Sequence, residues 1–473
     1  NIYISENINT IVDTFYISCP NVQFTEYNNC QYLGSKDNPY IVLWKLLDNQ
    51  LTHLSIHPNT KIIFQQSFKE SKGITDIRIS GEGKYYTSVD GVIYSKDLKT
   101  LVLYPRRRSN TYYEIVDGCE EILSNALFGA KFTTIKLPNS LKNISGTSFG
   151  NSVYISEFIV DENNPYFSTI DGSLLSKDGS ILYRYAVGKS SQSYKVPEGV
   201  KLIYDYAFSY ALNLVSLDLS SSVEELGEYS VSNCPLLKEL SGHDALISIG
   251  AYAFLNDVIE YIEFYDGLET IGDSAFGQCL SLKAISLPNT VTSIGEYAFH
   301  YCQSLESIEI PDGVRTIRRS TFGYCHNLTS VIFPTSLETI DSLGFTNCTS
   351  LTNIELPNGL LVIGSSAFYK SGLEAINIPN TVLEIGSTAF SRCDKITEFI
   401  VPNSVVRLGD RIFYSSYELK LVYIPKSVLY IEGIVADDCY NVVIKCEVSE
   451  KPDGWADNWK ETYQNVYCNI SNE

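Results

Sequence analysis

The chain has 473 residues, of which 44% are hydrophobic and 19% are charged, a balance that excludes a disordered or collagen-like protein. With 55 acidic and 35 basic residues the formal net charge is −20, so nonspecific attraction to nucleic acid or anionic lipid is disfavoured. No apolar stretch approaches the ~18 residues of a membrane-spanning helix. We therefore expect no nucleic-acid partner and no insertion into a membrane.

Residues 1–56 precede the first repeat and are interpreted as an N-terminal cap. Their start, NIYISEN, has no basic segment followed by an apolar one, so we expect that any secretion signal has been removed.

Several cysteines lie near the two ends of the chain, and a disulfide in a terminal cap is one interpretation of them. Unpaired thiols are the favoured interpretation for this set: Cys19, Cys30, Cys439, Cys446 and Cys468.

Residues 57–446 contain a repeat of the form P-x-x-V/L-x-x-I-G-x-x-A-F-x-x-C-x-x-L-x-x-I-x-I. From Pro197 to Pro425 eight of the ten spacings between repeat starts are 23 residues and two are 22. Weaker copies begin at His57, Val116 and Pro138. One repeat has too few large apolar residues to form a core alone, so neighbouring repeats must stack. This predicts a solenoid.

Within a repeat, Leu305, Ile308 and Ile310 alternate with variable residues, which predicts a short strand whose copies stack into a parallel sheet. The repeat has a glycine position, represented by Gly295, and glycine there suits a positive φ or a close approach of two backbones. The phenylalanines of one repeat position are expected to form a stacked aromatic column: Phe254, Phe276, Phe299, Phe322, Phe345, Phe368 and Phe390.

Two longer repeats share an insert with the pattern D-G-x-x-x-S-K-D. The inserts read SVDGVIYSKDLKTLVLY from Ser88 and TIDGSLLSKDGSILYRY from Thr169. Turn residues between runs of β-favouring residues predict hairpins near residues 86–105 and 167–186. We expect these hairpins to project from the solenoid.

The 23-residue repeat resembles that of the BspA-like leucine-rich repeat proteins, bacterial proteins of which many come from gut-dwelling Firmicutes. The segments EYNNCQYLGSKDNPYIVL (residues 26–43) and KPDGWADNW (residues 451–459) resemble the flanking segments of that family, and residues 447–473 are interpreted as a C-terminal cap containing Trp455 and Trp459. The resemblance implies a right-handed leucine-rich-repeat superhelix with a stacked parallel β-sheet, turns and short helices. It also implies a secreted or cell-surface protein that binds host or bacterial macromolecules.

The sequence gives little indication of a catalytic site or a metal site. The repeated cysteines could suggest a metal site or disulfides, but Ser371 and Ser416 replace them in other repeats, which favours a small buried residue. No Ser-His-Asp set, Cys-His set or zinc-spaced pair occurs. We predict no enzyme, no metal and no cofactor. The repeated cysteines are Cys234, Cys279, Cys302, Cys325, Cys348, Cys393 and Cys439.

The basic cluster Arg106–Arg108 stands out in an acidic chain. It could contact an acidic glycan or an acidic patch of a protein, but a solvated loop is the favoured interpretation.

The leading functional hypothesis is adhesion of a monomer to a protein or glycoprotein through the variable side chains of the sheet. Tyrosines at non-core positions could add contact area, since Tyr combines an apolar ring with a polar tip. A structural spacer is the alternative. The residues predicted to bind are Glu306, Ser307, Thr329, Ser330, Thr352 and Asn353, with Tyr301 and Tyr324 nearby.

Overall fold

The structure, a computed structural model, describes residues 24–68, 71–460 and 465–468. The chain divides into two compact units, Asn1–Ser191 with Tyr204–Asn213, and Gln192–Ile203 with Leu214–Glu473. Each unit consists of stacked coils of short parallel strands, which confirms the predicted β-solenoid. The helices of the described residues are two single 3₁₀ turns, Gln65–Phe68 and Gly146–Phe149.

The longer strands of the second unit come from the L-x-x-I-x-I part of the repeats, except for the last, Asn465–Cys468, which lies in the C-terminal segment. Equivalent residues of neighbouring coils are paired in register, as in Ser307↔Ser330 and Ile308↔Val331. We call the surface that these strands form the long-strand face. Its strands are Ser193–Lys195, Ser216–Asp218, Glu239–Ser241, Tyr261–Glu263, Ala284–Ser286, Ser307–Glu309, Ser330–Ile332, Glu398–Ile400, Leu421–Ile424, Val443–Cys446 and Asn465–Cys468.

A second set of strands, two residues each, contains the isoleucine that precedes the repeat glycine. We call the surface that they form the short-strand face. A further parallel pair joins Phe413–Tyr414 to Ala436–Asp437. The strands of the short-strand face are Leu202–Ile203, Glu225–Leu226, Ser248–Ile249, Thr270–Ile271, Ser293–Ile294, Thr316–Ile317, Thr339–Ile340, Val362–Ile363, Glu384–Ile385, Arg407–Leu408 and Tyr430–Ile431.

The first unit begins with an antiparallel sheet of Thr25–Tyr27, Cys30–Leu33 and Val42–Leu46. Val42–Leu46 then pairs in parallel with Ile62–Ile63, so the N-terminal strands continue directly into the coils. The other parallel strands of this unit are His53–Ile56 with Asp76–Ile79, Tyr112–Glu114 with Thr134–Leu137 and Glu157–Val160, and Glu121–Ile122 with Asn143–Ile144.

The two inserts form antiparallel strands as predicted, but the expectation that they project is wrong. In the first insert, the side chains of Val92, Ile93 and Tyr94 are fully buried. Its third strand also pairs in parallel with Glu121–Ile122, so the insert is part of the solenoid wall. The insert strands are Tyr86–Val89, Val92–Ser95 and Thr100–Leu103, and Phe167–Ile170, Ser173–Ser176 and Ile181–Arg184.

The repeated phenylalanines form the predicted aromatic column in the core of the second unit. Neighbouring rings from Phe254 to Phe390 lie 5.2–5.6 Å apart and within 10° of parallel. Phe413 continues the column at 5.9 Å. Each ring therefore covers the next, and burial of this apolar area stabilises the stack of coils.

Gly295 occupies its position because two backbones approach closely there. A Cβ atom on Gly295 would lie 2.5 Å from the Asp273 backbone nitrogen. The left-handed conformation is found instead at the two corner positions that follow, Tyr297 and Tyr301, with φ of 56° and 61°. Of the two roles that the sequence allowed for this glycine, the structure shows close approach.

The repeated cysteines are buried and none of them forms a disulfide, which confirms their interpretation as small core residues. The Sγ atom of Cys302 donates to the carbonyl oxygen of Phe276 at 3.1 Å. Ser416, in the same repeat position, donates from its hydroxyl to Phe390 at 3.3 Å, which explains why serine can replace cysteine. Burial raises the pKa of Cys348 to about 12 and that of Cys393 to about 11, so these thiols stay protonated.

Cys446, by contrast, is disulfide-bonded, so the favoured interpretation of unpaired thiols is wrong for this residue. Its strand partner in the register is Cys468. Cys30 and Cys439 are unpaired and buried, and Cys19 lies outside the described residues.

Trp455 and Trp459 pack against the last coil. Trp455 bridges to Ile431, and its indole nitrogen donates to the Val428 carbonyl at 3.0 Å. The two rings meet edge to face at 4.9 Å. Both tryptophans are buried, so they cover the end of the short-strand face.

Asp257 takes the cysteine position in the 22-residue repeat that starts at His243. One carboxylate oxygen accepts the Cys234 amide at 2.7 Å, and the other has no hydrogen-bond partner among the described residues. Burial raises the pKa of Asp257 well above its ordinary value. The folded chain therefore keeps the Asp257 carboxyl group protonated at pH values at which the unfolded chain has already lost this proton.

We expect Cys302→Ser to cost less stability than Cys302→Ala. Serine keeps a donor for the Phe276 carbonyl, whereas alanine leaves a small cavity and an unpaired acceptor, worth about 1–3 kcal/mol. Chemical denaturation followed by circular dichroism measures the difference. Equal losses for the two variants would show that the hydrogen bond contributes nothing.

We expect Asp257→Asn to gain stability relative to wild type as pH rises from 4 to 7. Because the pKa is raised in the folded state, this group costs up to about 1.4 kcal/mol per pH unit above its unfolded pKa. Asparagine keeps an oxygen acceptor for the Cys234 amide and carries no charge. Denaturation at several pH values measures the difference, with the exposed Asp266→Asn as the matched control; a constant difference would contradict the account.

Candidate binding surface

The long-strand face presents alternating side chains to the core and to solvent. Ile308 is buried, while Ser307 and Glu309 on either side of it are exposed, as the two-residue period of a strand requires. The same pattern holds in the next coil for Ser330 and Ile332 around Val331. The exposed positions are fixed in space by the buried ones and differ from repeat to repeat.

The structure places the predicted binding residues in two different settings. Five of the six strand residues are exposed and Thr352 is half-buried, while Tyr301 and Tyr324 are half-buried. Ser307 and Ser330 are register partners on neighbouring coils. Three of the predicted residues also line a single groove: Thr329, Ser330 and Asn353.

This groove lies where the ladder of the long-strand face is interrupted. The amide of Thr329 donates to the Glu306 carbonyl at 2.9 Å, but among the described residues the amide of Thr352 makes no corresponding bond to Thr329. Glu355 instead forms an isolated bridge with Asn377 of the following coil. The opening has a volume of about 380 Å³ and is lined by Thr329, Ser330, Val331, Ile332, Phe333, Asn353, Ile354 and Glu355. We call it the strand-face groove.

On the short-strand face the strands of the same coils remain paired. Thr316 is the register partner of Thr339, and Thr339 that of Val362. The coils are thus held together on the short-strand face and separate on the long-strand face. The opening lies directly before the second 22-residue repeat, which starts at Pro357 and has one residue fewer than the others between Ser371 and Leu373.

Gly372 lies at the position of this deletion. A Cβ atom there would lie 2.2 Å from the Thr349 carbonyl oxygen, so the shortened corner requires glycine. The amide of Glu374 still donates to Thr352 at 3.0 Å. The shorter coil therefore stays bonded to the coil before it, and the gap lies one coil further toward the N-terminus.

The lining of the strand-face groove combines apolar and hydrogen-bonding groups. The Ile332 side chain is 57% exposed, and Phe333 is half-buried beside it. Thr329, Ser330 and Asn353 add hydroxyl and amide groups. An apolar contact flanked by polar groups and by the edges of strands is suited to an extended peptide, which can add main-chain hydrogen bonds.

The predicted tyrosines form a separate cluster at the corner of the coils. Tyr301 and Tyr324 stack at 4.5 Å, and His300 meets Tyr301 edge to face at the same distance. The His300 ring also hydrogen-bonds the Ser320 hydroxyl at 3.0 Å, and burial lowers its pKa. Neither tyrosine lines the strand-face groove, so the structure does not bring them together with Ser330 and Asn353.

Sequence reasoning missed Ile332, Phe333 and Glu355 of the groove. One signal was available for Ile332, because the matching position of the preceding repeat is the polar Glu309. The second signal was the repeat of 22 residues that starts at Pro357. Either departure from the pattern points to this region.

Within the part of the chain that the structure describes, no three His, Cys, Asp or Glu side chains are grouped as metal ligands. No described helix has the length and apolar character needed to cross a membrane.

The chain matches the family described as "BspA type Leucine rich repeat region" over residues 104–181, 182–306, 247–343 and 315–443. These segments cover the coils on which the strand-face groove is built. A search of curated proteins finds no match.

Several solved bacterial structures are similar to this chain. A leucine-rich repeat protein from Eubacterium ventriosum has 17% identity and a TM-score of 0.47, covering 75% of this chain and 95% of that chain. One from Bacteroides ovatus has 19% identity and a TM-score of 0.42, covering 88% and 95%. A leucine rich cell surface protein from Faecalibacterium prausnitzii has 23% identity and a TM-score of 0.39, covering 65% and 96%.

Proposed function

The chain belongs to the BspA-type leucine-rich repeat family, and on that premise we propose that it is a non-catalytic adhesion protein of the cell surface or the extracellular medium. Its partners are host or bacterial proteins or glycoproteins. The strand-face groove is the contact site, and an extended segment of the partner is the part that it holds.

The observation that carries this proposal is the exposed Ile332 beside an interrupted strand ladder. Surface isoleucine adjoining a cleft contributes binding energy because a partner removes it from water. The ladder interruption leaves backbone groups near Thr352 available to a partner strand. Ser330 and Asn353 supply side-chain hydrogen bonds that fix the register of the bound segment.

The stacked core supports binding by rigidity. The groove stands on the buried Val331 and Ile354, and the ring of Phe333 meets that of Phe345 in the aromatic column edge to face at 5.8 Å. Side chains held by a packed core lose little conformational entropy when a partner binds. A large partner can therefore be held by modest contacts along one face.

The disulfide at Cys446 supports the location. Disulfides persist in oxidising environments such as the cell exterior and are rare in the cytosol. The cysteines of the repeats form no disulfide and are buried, so an oxidising medium does not reach them. This distribution suits a protein that works outside the cytoplasm.

The test is binding of the full chain to an array of matrix glycoproteins, mucins and bacterial surface proteins by surface plasmon resonance. Ile332→Arg places a charge in the groove, and we expect it to weaken binding by at least tenfold. Ile400→Arg is the matched control, because Ile400 occupies the same strand position, is also 57% exposed and lies outside the groove.

A saturable signal that is lost in Ile332→Arg and kept in Ile400→Arg supports the proposal. Equal binding by both variants and wild type would place the site elsewhere. No binding by wild type to any protein in the array would contradict adhesion and favour a spacer.

A further inference from the structure

We propose that a second groove, in the first unit, binds an anionic saccharide. It has a volume of about 280 Å³ and lies among loops of four successive coils. We call it the basic groove. It is lined by Ser71, Arg106, Arg107, Phe128, Gly129, Lys131, Asn151, Val153 and Tyr154.

The structure divides the basic cluster Arg106–Arg108 between two roles. Arg108 is ion-paired with Asp90 at 2.5 Å, so this arginine holds the first insert in place. Arg106 lies over the Phe128 ring at 4.4 Å, an arrangement that fixes the guanidinium at the groove wall. The favoured interpretation of a solvated loop therefore does not describe these two residues.

The remaining cations are available to a ligand. Arg107 and Lys131 are exposed, and neither has an ion-pair partner among the residues that the structure describes. No carboxylate is among the lining residues. In a chain with a net charge of −20, three cations around one small opening form a local positive field that attracts anions.

The uncharged lining favours a saccharide. Tyr154 is 52% exposed, and its ring offers an apolar face with a polar tip. The Asn151 amide and the buried Ser71 hydroxyl add hydrogen-bonding groups, and the Ser71 oxygen has no partner within the described chain. A ligand rich in hydroxyl groups satisfies such a lining.

An acidic peptide fits the basic groove less well. None of its lining residues lies in a strand, so there is no ladder edge to which a peptide backbone could add. Recognition must come from side chains, which suits sulfate or carboxylate groups on a sugar ring. Arginine supplies paired donors for either group.

The experiment measures binding of the full chain to heparin, a sulfated saccharide, and to polygalacturonate, a carboxylated one. Neutral dextran and poly-glutamate are the comparison probes. The double variant Arg107→Ala/Lys131→Ala is expected to lose at least tenfold in affinity for the anionic saccharide that binds. Binding is also expected to weaken as salt concentration rises, since exposed charges are screened.

The matched control is Arg318→Ala/Arg319→Ala, which removes the same charge from two exposed arginines of the second unit. Retained binding in this control and loss in the groove variant support the proposal, with heparin or polygalacturonate identifying the anionic group. An equal loss of affinity in both double variants would show that binding depends on overall charge and would overturn the proposal. Equal binding of poly-glutamate, or no binding of either anionic saccharide at low salt, would overturn the proposal.

Discussion

Contact between each coil and the next determines the rest of this structure. A single coil of 22 or 23 residues cannot bury its own isoleucines, leucines and phenylalanine, so every coil depends on its neighbours. The parallel rings of Phe276, Phe299 and Phe322 are the visible result. The thiol-to-carbonyl bond of Cys302 adds a polar connection at the corner of the same layer.

The stacking fixes core positions and leaves the outer positions free. Regular coils of the long-strand face carry exposed polar residues such as Ser307 and Glu309. Both candidate sites lie where the chain departs from its repeat. The strand-face groove adjoins a shortened coil and an exposed Ile332, and the basic groove adjoins an insert and a cluster of arginines. We therefore propose that binding in this fold is a property of its irregular coils.

Periodicity made the core predictable, whereas departures from it indicated where the strand-face groove lies but not its geometry. Phe299, Cys302 and Ile308 recur at fixed spacing, so their burial follows from the sequence. The role of Gly295 needed the structure, because both close approach and positive φ favour glycine. Val92–Tyr94 predicts a strand but not its neighbours, so the insert was wrongly expected to project. The opening between Ser330 and Asn353 depends on pairing between distant coils, which local patterns do not determine.

Hydrogen–deuterium exchange of the free chain tests most directly the claim that the coils separate on one face only. We expect slow exchange of the backbone amides of Thr329, Ile340 and Ile363, where the strand ladders are intact, and fast exchange of the Thr352 amide. Amide protection reports the free energy of local opening. Equal protection at Thr352 and Thr329 would contradict the account, because the ladder would then be continuous and the strand-face groove closed.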